Sequence, residues 1–323
     1  MEMYQDIFSE GRLIQKGLRE CSSRYEAIKE SLSKYKRNFT LLDIGSNFGY
    51  FSIRAAHEFD CTSIMIQSEP ESRLLFELCS KNKNLKLNLL NKRISCREIN
   101  NLSKCERFDS ILLLNVLHHL GSDWKIAFES CLKMCHSLIV ETPSEKDKGS
   151  CGQEHLKGII DFINNKDHTV LGEFSRHTDP NSKSIMVEIM GAPEKFLEKS
   201  YIDMPSVQKN RMGKIEILSD FEKKIFIKNK ESQKWIHGIN FHNFLKLNGV
   251  WPSRDFLISQ IEERKITTDY KWDNTHRDIT PWNFIINGAS LNLIDLDGFN
   301  FNDEKVSDAS GLEFTVQKVK TTI

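Results

Sequence analysis

Leu41-Leu42-Asp43-Ile44-Gly45-Ser46-Asn47-Phe48-Gly49-Tyr50-Phe51 decides the fold. The apolar run from Phe39 to Ile44 has the length of one buried strand, Gly45 ends it in a tight turn, and a helical pattern begins near Phe48. Strand, glycine turn and helix in that order form the ligand-binding edge of a doubly wound sheet, where ligands sit beyond the carboxyl ends of the strands. The glycine spacing narrows the ligand. Counting from Gly45, a dinucleotide fingerprint needs glycines at 47 and 50, and those positions hold Asn47 and Tyr50. No G-x-x-x-x-G-K-[ST] phosphate loop occurs. Instead an acid, Asp43, stands two residues before Gly45, and a second glycine, Gly49, stands four residues after it. A carboxylate there suits a ligand that carries an ammonium group and no phosphate.

The flanking sequence alternates. Thr62–Ile66, Leu85–Leu90, Phe108–Leu114 and His136–Val140 read as strands, and Pro70–Ser80, Trp124–Met134 and Glu154–Ile163 as helices. Val170–Phe174 and Ser184–Met190 read as two closing strands. Strands alternating with helices predict an α/β fold with a parallel sheet covered on both faces. The near-continuous apolar stretch Ile111–Leu114 fits a strand buried on both sides. Upstream, Ile14, Leu18, Tyr25, Ile28 and Leu32 fall near a helical period, so residues 1–38 are expected to form a helical cap. After residue 200, Pro205, Gly213 and clustered lysines mark a linker, with strands expected within Lys214–Lys230 and a short helix over Phe241–Leu247. The expected organisation is a cap over 1–38, a sheet domain over 39–200 and a small α+β region over 201–323.

Composition bounds the partners. Lys plus Arg and Asp plus Glu each total 45, and a balanced chain has no general pull toward nucleic acid or an anionic membrane. The longest apolar stretch, Ile111 to Leu117, is broken by Asn115 and is too short to span a bilayer. The opening MEMYQDIFSEGRLIQKGLRE has no apolar core or cleavage site of a signal peptide. No two of the 8 cysteines have C-x-x-C spacing, and Cys131 and Cys135 fall on one face of a helix. Reduced, mostly buried thiols in a cytoplasmic protein are expected.

The D-x-G-x-x-x-G of Asp43, Gly45 and Gly49 after an apolar strand resembles the first motif of class I S-adenosylmethionine-dependent methyltransferases. That resemblance implies a Rossmann-like seven-stranded sheet and S-adenosyl-L-methionine as cofactor. It places Asp43, Gly45 and Gly49 at the methionine portion, with Ser46 and Asn47 of the same turn as further contacts. In this family an acid at the end of the second strand holds the ribose hydroxyls. Here that end reads Ile66-Gln67-Ser68-Glu69-Pro70, so Gln67 or Glu69 takes the position. Phe108-Asp109-Ser110-Ile111-Leu112-Leu113-Leu114-Asn115-Val116-Leu117-His118-His119 resembles the family's aspartate, apolar run and N-V-L-H-H segment. The resemblance puts Asn115 at the cofactor and the residues after it near the transferable methyl. Methyl transfer is a direct displacement that needs alignment and a proton acceptor. His118, His119 and His155 are the candidate bases, with His119 first because it lies just past the strand. The N-P-P-[YF] signature of nucleobase amine methylation is absent.

A second motif lies near the carboxyl end. His276-Arg277-Asp278-Ile279-Thr280-Pro281-Trp282-Asn283 fits H-R-D-x-x-x-x-N, and twelve residues after Asn283 an apolar strand ends at Asp295. The pair resembles the catalytic and metal loops of protein-kinase-like folds, which implies Asp278 as base, Asn283 and Asp295 as metal ligands, and Mg-ATP as a cofactor. No glycine-rich loop follows residue 200, and only 48 positions separate Lys228 from His276, so the expectation is a shortened kinase-like remnant. The whole arrangement is similar to the bifunctional methyltransferase–kinases that cap bacterial O-antigen polysaccharides. That similarity implies a small-molecule or glycan methyl acceptor. Two alternatives stand beside it: a bifunctional methyl- and phosphotransferase, and a non-catalytic scaffold that keeps the fold.

Overall fold

A computed structural model of the chain describes residues 3–143, 152–177, 179, 182–193, 196–198, 212–219, 222–227, 230–234, 237–262 and 284–293. The chain opens with a hairpin, β1 (Ile7–Ser9) and β2 (Arg12–Gln15), and its helix α1 covers only Ser22–Leu32. The helical reading of the first residues is therefore corrected. Glu10 and Gly11 both have positive φ, 51° and 75°, which a two-residue hairpin turn of the right twist requires. Ile14 and Leu18 share a helical spacing with the residues of α1, yet they are 50% and 48% exposed, whereas Tyr25, Ile28 and Leu32 are fully buried.

From there strands and helices alternate as expected: β3 (Thr40–Ile44), α2 (Tyr50–Phe59), β4 (Thr62–Ile66), α3 (Glu71–Lys81), β5 (Leu87–Leu90), α4 (Cys96–Cys105), β6 (Phe108–Leu114), α5 (Trp124–Met134), β7 (Cys135–Thr142), α6 (Gln153–Asn164), β8 (Thr169–Ser175) and β9 (Lys183–Met190). Helix α4 escaped the sequence reading although its start is signalled by Ser95 and Glu98, which form a reciprocal capping box. Cys135 opens β7, so it shares no helix face with Cys131. A four-stranded antiparallel sheet follows, β10 (Phe196–Glu198), β11 (Met212–Ser219), β12 (Glu222–Ile227) and β13 (Lys230–Lys234). Then come β14 (Ile239–Asn240), α7 (Phe241–Lys246), β15 (Gly249–Trp251), α8 (Arg254–Glu262), β16 (Phe284–Asn287) and β17 (Ser290–Leu293).

The main sheet has eight strands in the order β15-β5-β4-β3-β6-β7-β9-β8. The five from β5 to β7 are parallel, and β9, β8 and β15 pair antiparallel. The expected seven strands are present, and β15 is an eighth that covers the edge of β5, whose N–H and C=O groups would otherwise be open to pairing. Alternate residues of β3 divide between two cores. Leu42 and Ile44 pack with α4, α5 and α6, and Leu41 packs with α1, α2 and α3. Both faces are thus covered, which is why β3, β4 and β6 are buried at every residue.

Phe241 and Phe244 of α7 are fully buried in the α4–α5 core. Glu106 accepts hydrogen bonds from the Asn240 N–H (3.0 Å) and from Asn243 Nδ2. Gly288 donates to Asn88 Oδ1 at 3.1 Å. Among the described residues the cysteines are free, and no helix is long and apolar enough to cross a membrane.

Candidate functional site

A cavity of about 680 Å³ opens at the carboxyl ends of the parallel strands. It lies where the strand order reverses between β3 and β6, the place at which open α/β sheets bind ligands. Its size suits an organic ligand. One wall is the β3–α2 turn with Gly45 and Asn47, the next is the end of β4 with Gln67 and Ser68, and the third is Lys92–Ile94 after β5. The opposite end carries Asn115, Val116, His118 and His119 after β6.

The turn itself offers no amide to a phosphate. Gly45 and Ser46 donate to the Ile66 carbonyl at 2.9 and 3.3 Å, and Gly49 donates to the Ser46 carbonyl at 2.9 Å. Asn47 N–H donates to Gln67 Oε1 at 2.8 Å. Phe48 and Tyr50 N–H both donate to Oε1 of Gln5, each at 3.2 Å. Every backbone N–H from 45 to 50 is committed inside the protein, so the phosphate-cradling use of such a turn is closed.

Acceptors are left over instead. Asn47 and Asn115 line the cavity, and their Oδ1 atoms are buried with no hydrogen-bond partner. Both hold positive φ, 54° and 61°, a conformation asparagine tolerates better than most residues. Two unpaired amide oxygens suit a ligand donor such as an ammonium group.

Of the remaining motif residues Gly45 lines the cavity, and Asp43, Ser46 and Gly49 stand behind it. Asp43 is buried, accepts from Ser52 Oγ at 2.7 Å, and does not line the cavity. Burial pushes its carboxyl up to about 6, with the Ser52 bond and Arg19 acting the other way. Gly45 (φ 78°) faces Val116, whose Cγ2 would lie 2.7 Å from an added Cβ. Gly49 (φ 72°) is a packing glycine, since a Cβ there would meet Leu75 Cδ1 at 2.6 Å. Ser46 is buried and its Oγ has no partner.

At the end of β4 the expected pair of residues separates. Gln67 lines the cavity, and besides accepting from Asn47 it donates to Glu71 Oε2 at 3.2 Å. Glu69 is turned to solvent in an ion pair with Arg73 and takes no part in the wall. The acid that does reach the cavity is Glu71, one helical turn beyond Gln67.

His118 and His119 are side by side on the cavity wall, their ring centroids 3.9 Å apart. Burial, then His119, Arg176 and His155, push the His118 imidazolium down to about 4, and its Nδ1 is buried without a partner. Burial and Arg93 also lower His119. His155 stands close enough to act on His118, but it lies edge-on to Trp124 at 6.5 Å and is not among the cavity-lining residues. Asp278, Asn283 and Asp295 lie outside the described residues.

Sequence reasoning missed the cationic end of the cavity. Arg19, Arg24 and Arg176 line it with Tyr4, His177 and Ser184. Glu141, buried at the end of β7, accepts from Arg19 Nη2, from Arg24 Nε at 3.0 Å and from Ser184 Oγ. Burial opposes its ionisation, and the two guanidiniums override that and hold the carboxyl below its usual range. Arg19 Nε is buried without a partner. With Lys92 and Arg93, five cations line the cavity against the carboxylate of Glu71.

Fold and cavity define a doubly wound α/β protein with an open cavity at its switch point. No family model matches the chain, and no curated protein matches it. Among solved structures the chain is similar to the bifunctional kinase-methyltransferase WbdD, at 15% identity and TM-score 0.48 over 98% of this chain and 85% of that chain. It is also similar to the N-terminal domain of EvdMO1 with SAH bound, at 12% identity and TM-score 0.43 over 59% of this chain and 92% of that chain.

Proposed function

We propose that the chain is an S-adenosylmethionine-dependent O-methyltransferase acting on a small-molecule or glycan acceptor that carries acidic groups. The observation that supports the cofactor is the β3–α2 turn: all its amides are internally satisfied, while Asn47 and Asn115 present unpaired oxygens. That donor and acceptor balance fits an amino acid joined to a nucleoside and rejects a pyrophosphate. Gly45, Asn47 and Asn115 would hold the amino-acid portion, and Gln67 with Glu71 the ribose. When bound, the sulfonium supplies an electrophilic methyl group.

The chain's own residues do the rest. The arginine-lined end draws an anionic acceptor and orients it toward the β6 end. His119 takes the proton from the attacking hydroxyl. His118, held to about 4, is the poorer acceptor of the two and forms a neutral wall.

Isothermal titration with S-adenosylhomocysteine and with NAD tests the cofactor. Binding of the first and not the second is expected; the reverse overturns the reading. With an acceptor in hand, His119→Ala is expected to keep its affinity for S-adenosylhomocysteine and lose turnover about 10²-fold, the usual contribution of a positioned base. A loss under about three-fold removes His119 from that role.

A further inference from the structure

The wall formed by Lys92–Ile94 is not held by the main sheet alone. Asn91 and Asn248 bond each other both ways: the Asn91 N–H donates to the Asn248 carbonyl at 2.8 Å, and Asn248 Nδ2 donates to the Asn91 carbonyl at 2.8 Å. Asn248 sits at φ 57° immediately before β15, which pairs with β5 through Gly249 and Trp251. Its neighbours lock it in place. Gly249 lies so close to the Phe244 ring that a Cβ would be 2.3 Å from it, and Trp251 meets Phe76 of α3 edge-on at 5.8 Å. The far end of the wall is also fixed, by the Ser95–Glu98 capping box, and Lys92 at its near end pairs with Glu98 at 2.6 Å. Among the described residues, Asn91 is where the carboxyl-terminal third of the chain bonds to this wall, beside the Lys92 N–H that donates to the Leu90 carbonyl at 3.0 Å.

Resting on the methyltransferase reading, we infer that Asn248 is a positioning residue for the nucleoside end of the cofactor site, so that the segment carrying β15 is a working part of that site. The wall residues Lys92, Arg93 and Ile94 follow Asn91 directly and adjoin Gln67, whose N–H is bonded to the Leu90 carbonyl at 3.1 Å. Loss of the Asn248 side-chain bond leaves Asn91 held through its own N–H alone and lets its carbonyl, and the wall that follows it, drift while the sheet beneath stays paired. The Asn248 side chain is exposed, so it contributes little to folding and its loss separates positioning from stability.

Two variants test this. Asn248→Gly keeps the left-handed backbone and removes the donor; Asn248→Asp places an acceptor against the Asn91 carbonyl. Titration with S-adenosylhomocysteine, and separately with adenosine, is combined with thermal melts and hydrogen exchange over residues 91–94. The expected result is about three-fold weaker binding of both ligands for the glycine variant and about ten-fold for the aspartate variant, the range of one lost and one reversed hydrogen bond. Melting temperatures stay unchanged and exchange quickens at 91–94. Wild-type affinity in both variants overturns the inference and leaves the proposed function standing, as does a loss that only tracks the folded fraction. Failure of the wild-type chain to bind S-adenosylhomocysteine at millimolar concentration overturns the methyltransferase reading itself.

Discussion

Replacing Gln5 by Leu probes the turn most directly. Gln5 is 2% exposed, and its single Oε1 accepts two backbone N–H groups, from Phe48 and Tyr50, at the start of α2. Leucine has a similar volume and no acceptor, so both amides lose their partner while the packing is nearly preserved. A buried donor left unsatisfied costs about 1–3 kcal/mol. The two distances of 3.2 Å lie at the long end of the N–H···O range, which selects the lower part of that interval for each. The expected destabilisation is therefore about 2–3 kcal/mol, read as a shift in the urea midpoint at constant slope. Gln5→Glu is the control, because a carboxylate keeps the acceptor and suits a helix N-terminus. It should lose clearly less than the leucine variant. A Gln5→Leu loss below about 0.5 kcal/mol, or equal losses in the two variants, refutes the claim that Gln5 satisfies these amides.

Two other perturbations follow from buried carboxylates. Burial raises Glu106 to about 7, against the hydrogen bonds from Asn243 and Asn240. Its preference for the neutral form stabilises the fold fully below the usual glutamate range and is lost as pH rises through about 7. Wild-type urea midpoints should fall between pH 5 and pH 7.5 more steeply than those of Glu106→Gln; parallel slopes would exclude Glu106 as the source. Glu141→Ala strands the guanidiniums of Arg19 and Arg24 against each other, and removing one partner of a buried ion pair costs about 3–5 kcal/mol. Equilibrium unfolding reads this, and a loss under about 1 kcal/mol would show that solvent already screens the cluster.

The amino-acid sequence by itself determined the alternation of strands and helices and the character of the turn at Gly45. These are written in one dimension: apolar period, glycine spacing, and the side chains where a dinucleotide fingerprint needs glycines at 47 and 50. The placing of Asn115, His118 and His119 on the ligand side came from the resemblance carried by Phe108–His119, and all three line the cavity. Local spacing misled where two structures share it. Ile14 and Leu18 keep a helical period with α1, yet the Glu10–Gly11 turn makes a hairpin and leaves both exposed.

Only the tertiary structure decided which amides remain free, which acid reaches the cavity, and what closes the sheet edge. Gln5 meets Phe48, Glu141 meets Arg19 and Arg24, and Asn248 meets Asn91 across long stretches of chain, and no local pattern encodes such pairs. Burial and hydrogen-bond satisfaction belong to the assembled chain, because a polar atom counts as paired or orphaned only once its distant neighbours have taken water away from it.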